Sequence, residues 1–353
     1  MANIILKNGK VFDGEKFFFS DLVIEDGKIL RVGKIEHVDG AVVIDCANCI
    51  VCSSLTDIHA HFTVIGDKRF GFNAEMATLP FGVTCAVDAC GINADHNYMN
   101  NLAVDTFVFV PLCFSGGKPD FERAESLLME FNDRAIGIKV FFDCIENPDI
   151  RLEHLERALL FAKEQGKKVM VHTSDSPVSM LDIVKALGDG DILSHAYHGG
   201  INTIEENDYS AYKLAKEKGV IIDAGMAGGV HTDFAIVKRA IKKGVIPDTI
   251  STDITCASAY MRGGIYGITE CMSIFKNLGM KEEEIFNAVT ANARKAIGKE
   301  IGVIKESATA NIAVFKEEES LVDIVDKAGN RVTFEKSYKC KLTIKDGKVL
   351  YRG

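Results

Sequence analysis

The middle of the chain alternates short β-rich runs with amphipathic helical stretches, and this alternation limits the fold more than any other feature. Apolar residues recur near a 3.6 period in the stretches between the runs, for example in residues 152–164 and 233–243. The β-rich runs begin about 23 to 32 residues apart, which is a spacing typical of βα units. The candidate strands are residues 55–59, 83–87, 106–110, 136–141, 168–172, 192–195, 220–223 and 249–253. Eight such units predict an α/β fold of the (β/α)8 TIM barrel type, because a doubly wound sheet usually has about six strands.

Both ends of the chain carry β-rich runs that are closed by turn pairs. Asn8-Gly9 and Asp26-Gly27 near the start and Asp346-Gly347 near the end are strong hairpin signals. Neither end has enough strands to be stable alone, so the two ends should pair with each other. The sequence therefore predicts a small β-sandwich domain formed by residues 1–52 and 304–353, beside a barrel of residues 53–303.

Charge and hydropathy exclude several classes of partner. The formal net charge is −9 and the chain has no block of Lys or Arg, so neither nucleic acid nor a membrane surface is an expected partner. No run approaches the roughly 18 apolar residues of a membrane-spanning helix, and residues 1–8 lack the basic and apolar regions of a secretory signal. A cytoplasmic protein is expected, and its ten cysteines are expected to be reduced thiols.

Three cysteines at a spacing of three residues, Cys46, Cys49 and Cys52, leave two interpretations open. Thiolates at short spacing can bind a soft metal or an iron–sulfur cluster. Cysteine is also commonly buried as a small hydrophobe, and the surrounding residues 42–55 are largely apolar. Packing is the favoured interpretation, because no fourth cysteine lies at a suitable spacing.

The ends of the candidate strands carry side chains that suit a metal ion. His59 and His61 are two residues apart on the first strand, so their imidazoles point to the same face. Such a pair alone is more often a packing or surface feature. His172 and His195 close the fifth and sixth strands and Asp253 closes the eighth, at the barrel end where active sites lie, and all five side chains suit zinc-like ions. Other histidines fall in predicted loops or on helix faces and are expected to be solvated: His37, His96 and His154.

Lys139 lies inside the fourth candidate strand, with apolar neighbours on both sides. An inward lysine at such a position is costly unless it is paired, neutralised or modified. Desolvation lowers the pKa of a lysine and makes it nucleophilic, so Lys139 could capture CO2 as a carbamate that bridges two cations. The alternative is an outward lysine whose charged end reaches solvent between helices.

These residues and several motifs resemble the amidohydrolase superfamily, and within it the dihydroorotase-like amidohydrolase/deacetylase group. The resemblance covers nearly the whole chain. Its further matches are Gly82-Val-Thr-Cys-Ala-Val-Asp, Gly190-Asp-Ile-Leu-Ser-His, Pro247-Asp-Thr-Ile-Ser-Thr-Asp and Thr290-Ala-Asn-Ala. The resemblance implies two divalent metal ions, expected to be Zn²⁺, and six ligands: His59, His61 and Asp253 for one ion, His172 and His195 for the other, and Lys139, carboxylated by CO2, as the bridge.

Three departures from the family pattern concern the substrate. Ser53-Ser54 stand where the family usually has Pro-Gly before the first metal strand. Dihydroorotases carry an arginine soon after the His-x-His to hold the substrate carboxylate, whereas Phe62-Thr63 follow here, which argues against dihydroorotate. Gly225-Met226 replace the Gly-His pair that the group often has after strand seven, with His231 a few residues further on.

The resemblance implies a hydrolase that removes an N-acyl or O-acyl group from, or opens a cyclic amide in, a small carboxylate-bearing metabolite. Two cations would lower the pKa of a shared water, and Asp253 would act as general acid and base. Arg262, His198 and Ser174, in loops at the barrel mouth, are candidate substrate-binding residues, although a surface arginine and a loop-capping histidine are equally ordinary features. An aminohydrolase of the purine or adenine deaminase type is the second interpretation, and a barrel used as a scaffold or assembly module is the third. A homo-oligomer is expected, as in many barrels of this kind.

Overall fold

Two large β-sheets connected by helices form a mixed α/β fold. The structure is a computed structural model, and it describes residues 3–62, 70–90, 99–115, 118–143, 149–260 and 265–353. In chain order, the strands of the described residues are β1 Ile4–Phe12, β2 Phe17–Glu25, β3 Lys28–Gly33, β4 Val42–Asp45, β5 Cys49–Ser53, β6 Leu55–Ala60, β7 Val83–Asp88, β8 Asp105–Leu112, β9 Phe114–Ser115, β10 Lys118–Pro119, β11 Ala135–Phe141, β12 Lys168–His172, β13 Ile192–Ser194, β14 Ile221–Ile222, β15 Ile312–Val325, β16 Arg331–Lys345 and β17 Lys348–Arg352.

One sheet is parallel and curled, with the strand order β14-β13-β12-β11-β8-β7-β6. These seven strands correspond to the first seven candidate strands of the sequence, which are therefore confirmed. The eighth candidate, residues 249–253, is not a regular strand. It nevertheless contacts both edge strands, because Thr249 forms a parallel bridge with Asp223 and Ile254 forms one with Ala60.

Helices follow most of the parallel strands and cover the sheet. Their N-termini are capped by short polar side chains, as where Asp120 accepts from the Arg123 amide and Asp233 from the Ala235 and Ile236 amides. Their inward faces are apolar, and together with the strands they form one large core. The α-helices of the described residues are Ala74–Thr78, Phe121–Phe131, Leu152–Glu164, Met180–Ala186, Glu206–Lys218, Phe234–Lys242, Cys256–Tyr260, Ile268–Asn277, Glu282–Val289 and Ala291–Ala296. None of the helices in this part of the chain has both the length and the apolar character needed to cross a bilayer.

The other sheet joins the two ends of the chain in the order β17-β16-β15-β5-β1-β2-β3, and β4 also pairs with β1. The junction between the ends is the antiparallel pair β5–β15, in which Cys52 lies opposite Ala313. Cys46, Cys49 and Cys52 are free and buried here. Burial raises the pKa of the Cys46 thiol to about 12 and that of Cys49 above its usual range, as expected for inert packing residues.

A long hairpin extends from this second sheet to the parallel sheet. Strands β15 and β16 pair along their length, and residues 326–330 form the tip between them. Fourteen strand residues span on the order of 45 Å, which explains how the tip reaches so far. There the Lys327 amide donates to the Thr232 carbonyl over 3.1 Å, and the Asp326 carboxylate accepts from the Phe234 amide over 2.7 Å.

Candidate metal centre

All six predicted ligands meet at the carboxyl edge of the parallel sheet. Five of them lie within a parallel strand, at its end or directly after it, and Asp253 lies in the irregular segment that contacts β6; parallel strands place these ends together. Each is also buried, with an exposed fraction between 0% for Lys139 and 8% for His172. The residues of this cluster are His59, His61, Lys139, His172, His195 and Asp253.

Among the described residues, two groups could hold a metal ion, and His59, His61 and Asp253 form the first of them. Asp253 Oδ1 lies 2.8 Å from His61 Nε2 and 3.2 Å from His59 Nε2. His59 lies in β6 and His61 directly follows that strand, and the Asp253 amide donates to the His59 carbonyl over 2.7 Å. Asp253 has a φ of +48°, an unfavourable conformation for a non-glycine residue that is often found at functional sites.

His172, His195 and His231 form the second group. The ring centroids of His195 and His231 are 4.1 Å apart, and those of His172 and His195 are 4.4 Å apart. His231 also reaches the first group, because its Nε2 lies 3.4 Å from Asp253 Oδ2. Sequence reasoning noted His231 near the absent Gly-His pair but did not place it among the ligands, since it lies in a loop with no strand end to mark it.

Lys139 points inward rather than to solvent. Its Nζ lies 2.9 Å from His59 Nε2 and 3.4 Å from Met170 Sδ, and its side chain is fully buried. Burial lowers the pKa of this ammonium group to about 8. A sizeable fraction of Lys139 is therefore the neutral, nucleophilic amine near neutral pH.

A buried hydrogen-bond chain determines which ring nitrogen of His59 carries the proton. Ser194 Oγ donates to Asp223 Oδ2 over 2.8 Å, since a carboxylate only accepts. The Ser194 oxygen must then accept the proton of His59 Nδ1, which lies 2.8 Å away. His59 Nε2, turned toward Asp253, is consequently left unprotonated. Sequence reasoning missed both Ser194 and Asp223, although the first belongs to the quoted motif before His195.

The tautomer of His195 is determined in the same way by backbone. Its Nδ1 lies 2.7 Å from the Gly225 carbonyl, which can only accept, so this nitrogen carries the proton. Nε2 is thereby free to bind a cation. Metal-binding histidines commonly donate their second N–H to such a partner. A side chain at position 225 would not fit, because a Cβ there would lie 2.7 Å from His195 Nδ1.

Burial keeps the imidazoles neutral. It lowers the pKa of His59, of His172 and of His195, and that of His231 to about 4. Burial also acts to raise the pKa of Asp253, but the adjacent His59 and His61 outweigh it and lower the pKa of this carboxyl. Neutral imidazoles beside an ionised carboxylate are the protonation states that a cation needs.

A cavity of about 340 Å³ opens onto both groups. Its other walls include Phe70 and Phe141 together with the carboxylates Asp143 and Asp175. Of the predicted substrate-binding residues, Ser174 and His198 are buried and do not line this cavity. The third, Arg262, lies outside the described residues.

The histidines predicted to be solvated behave differently from one another. His37 is exposed and contacts Asp39. His154 is buried, and the prediction for it was wrong, because its Nδ1 accepts from the Arg151 amide at the start of a helix and its ring contacts Phe114. His96 lies outside the described residues.

Comparison with known proteins gives a consistent result. The profile described as "Amidohydrolase family" matches residues 50–350. A deacetylase from Agrobacterium fabrum is 23% identical over 300 residues, covering 78% of this chain and 72% of that protein. A deacetylase from Enterococcus faecalis is 28% identical over 350 residues, covering 91% and 92%. A crystal structure of a dihydroorotase superposes with a TM-score of 0.87 at 21% identity, covering 99% of both chains, and this likeness shows the fold.

Proposed function

Because the chain belongs to the amidohydrolase family and is a hydrolase acting on carbon–nitrogen bonds other than peptide bonds, we propose that it cleaves an acyl group or a cyclic amide in a small carboxylate-bearing metabolite. The observation that carries this proposal is the pair of ligand groups at one cavity wall. A cavity of about 340 Å³ suits a metabolite rather than a polymer.

We propose that the first group holds one divalent ion and that His172 and His195 hold a second, with His231 as an additional nitrogen donor. The chemistry of the residues supports this assignment. The imidazoles of His59, His172, His195 and His231 are neutral, two of them have tautomers fixed by partners outside the group, and the carboxylate is ionised. Zinc is the proposed metal, since nitrogen donors with few carboxylates suit it.

Lys139 is proposed to carry a carboxyl group. Its neutral Nζ would attack the carbon of CO2, the N–C bond would form as the electron pair of one C=O π bond moved to oxygen, and the nitrogen, now positively charged, would lose one of its own protons to solvent to leave a carbamate anion. The product is an anion, and it would remove a conflict in the unmodified site, where a cationic ammonium 2.9 Å from His59 Nε2 would compete with a metal ion. The apolar surroundings and the pKa of about 8 favour this reaction.

The bound ions would supply a water with a lowered pKa and would polarise the scissile carbonyl. Asp253 is the proposed general acid and base, because its ionised Oδ1 and Oδ2 face both groups. It would take a proton at Oδ2 and return it to the leaving nitrogen or oxygen. His231 Nε2, 3.4 Å from that oxygen, would hold the carboxylate in place through the transfer.

The proposed architecture is a (β/α)8 barrel of residues 53–303, with a small β-sandwich domain of residues 1–52 and 304–353. Contacts of residues 249–254 with both edge strands support closure of the parallel sheet. This arrangement accounts for the convergence of the six ligands, since barrel enzymes keep their active sites at the carboxyl ends of the strands.

A hydrolysis screen combined with metal analysis tests the function. Acylated amino acids and hydroxy acids, hydantoins, dihydropyrimidines and purines are incubated with purified protein, and bound metal is measured on the same sample. Turnover of one acyl or cyclic amide class, with about two metal ions per chain, would support the proposal. Release of ammonia from purines alone would favour a deaminase, and a folded protein with neither metal nor turnover would favour a scaffold.

A further inference from the structure

A carboxylate on the cavity wall is paired with a lysine that comes from the other sheet. Asp175 lines the cavity, and its Oδ2 lies 2.6 Å from Lys327 Nζ. Both side chains are partly exposed, at 29% and 27%. A partly exposed ion pair contributes little to stability, so its position beside the cavity calls for another explanation.

The backbone on both sides of this pair is held firmly. At the hairpin tip, Asp326 is buried and accepts from the Phe234 and Asn330 amides, each over 2.7 Å. On the other side, Asp175 has a φ of +56° and the following residue is fixed by Asn202 Nδ2, which donates to the Ser176 carbonyl over 2.9 Å. The backbone hydrogen bonds on both sides therefore place the ammonium and carboxylate groups opposite each other.

An anionic group of the ligand that does not reach the proposed metal ions needs another cation. None of its lining residues in the described part of the chain is Lys or Arg, and Asp143 and Asp175 add negative charge. Lys327 Nζ lies 2.6 Å from Asp175 Oδ2, and the Lys327 amide donates to the carbonyl of Thr232, the residue after His231. The ammonium group is thus positioned at the edge of the cavity, on the side of the second ligand group.

We propose that Lys327 recognises a carboxylate of the substrate and that Asp175 is the counter-ion that holds its ammonium group until substrate displaces it. This inference rests on the proposed function, because it identifies the anionic part of the substrate of that same site. The hairpin of the second sheet then serves as a specificity element. Asp175 competes with the substrate for the ammonium, whereas Lys327 attracts it.

Because Asp175 competes with the substrate for the ammonium group, replacing Lys327 and replacing Asp175 should change the affinity for the substrate in opposite directions. A merely structural ion pair would not behave in this way. Losing either member of a structural pair has the same effect. In a recognition pair, Lys327→Gln removes the cation, whereas Asp175→Asn frees it. Lys327→Arg keeps the charge and should keep the preference for anions.

The test measures binding of succinate and propionate to the metal-loaded, full-length protein by isothermal titration calorimetry. Succinate has one more carboxylate than propionate, and either acid can contact the metals through its first. Wild type should bind succinate about 10- to 100-fold more tightly than propionate, the range expected for one charge-assisted contact. Lys327→Gln should reduce this ratio to near one, and Asp175→Asn should raise it several-fold.

Controls separate this result from loss of fold and from failure of the proposed function. Lys185→Gln removes an exposed ion pair with Asp182 on a helix, and it should leave the ratio unchanged. The calorimetric measurement does not depend on hydrolysis. An inactive protein with a normal preference for succinate would therefore overturn only the proposed function. An unchanged ratio in folded Lys327→Gln, or a lowered ratio in Asp175→Asn, would overturn the recognition role.

Discussion

Asp223→Asn should weaken metal binding by the first ligand group without replacing any of its three ligands. Asp223 is fully buried and accepts from three hydroxyls, Ser194, Thr249 and Ser251, over 2.8–2.9 Å. An asparagine amide can accept through its oxygen only. If its nitrogen faces Ser194, the Ser194 hydroxyl must donate to His59 Nδ1, and the His59 proton moves to Nε2.

Protonated Nε2 cannot bind a cation, so the tautomer change competes with metal binding. Removing a partner that orients a metal ligand typically costs 10- to 100-fold in metal affinity. This corresponds to about 1.4–2.7 kcal/mol. The second group should keep its affinity, because the tautomer of His195 is set by the Gly225 carbonyl. The binding isotherm should therefore show two classes of metal site, one with weakened affinity and one with unchanged affinity.

The assay is a titration of metal-free protein with Zn²⁺ in competition with a chelator of known affinity. Asp191→Asn is the matched control, since Asp191 is also buried and accepts from the Val169 and Gly188 amides without contacting a histidine. Ser194→Ala interrupts the same chain of hydrogen bonds and should weaken the same class of metal site. Wild-type affinity at both sites in folded Asp223→Asn would refute the tautomer argument.

Three further predictions follow from the site and from the contact between the two sheets. Asp253→Asn should reduce kcat by about 10²–10⁴-fold and leave metal content largely intact, measured by steady-state kinetics and elemental analysis; unchanged turnover would contradict its acid–base role. Incubation with ¹³C-bicarbonate and Zn²⁺ should produce a carbamate ¹³C resonance in wild type that is absent from Lys139→Met, and its absence from wild type would sink the carboxylation. Glu282→Gln should destabilise the fold by about 1–3 kcal/mol at pH 7, because the carboxylate accepts from Lys10 Nζ over 2.5 Å and Tyr338 Oη over 2.8 Å. Burial acts to raise the pKa of Glu282 but these bonds lower it from its usual value, so the difference from wild type should be full at pH 7 and should be lost as the pH falls through the lowered pKa, as urea unfolding at pH 7 and at successively more acidic pH would reveal.

Residues placed by strand periodicity were predictable, and residues placed by loops were not. His59 and His61 follow from a two-residue period at the end of a strand, and Lys139 follows from its place inside an apolar strand, although the sequence left an outward orientation open. His231 lies in an irregular segment after Met226, where no period indicates the direction of a side chain. Its position depends on the Thr232 carbonyl and hydroxyl contacts that hold the loop.

Contacts between residues far apart in sequence could not be predicted from the sequence either. The pairing of Lys327 with Asp175 joins positions 152 residues apart through the length and twist of a hairpin, which the sequence does not reveal. The prediction of a regular eighth strand was wrong for a different reason. Its polar side chains at Ser251 and Thr252 bond to buried carboxylates, so the segment is held by side chains as well as by backbone ladders.

Two residues of the site have strained backbone conformations, and hydrogen bonds in the eighth candidate segment hold one of them in place. Asp253 at φ +48° and His195 at φ +60° each adopt the left-handed conformation, which costs about 1–2 kcal/mol in a non-glycine residue. Asp57, buried beneath them, accepts from the Thr252 amide over 3.1 Å and from its hydroxyl over 2.6 Å, which holds the backbone immediately before Asp253. Burial raises the pKa of Asp57 to about 7 against these bonds, so the residue is itself a cost to folding. The fold therefore retains a buried carboxylate that stability alone would not favour, because it orients the side chain on which the proposed proton transfer depends.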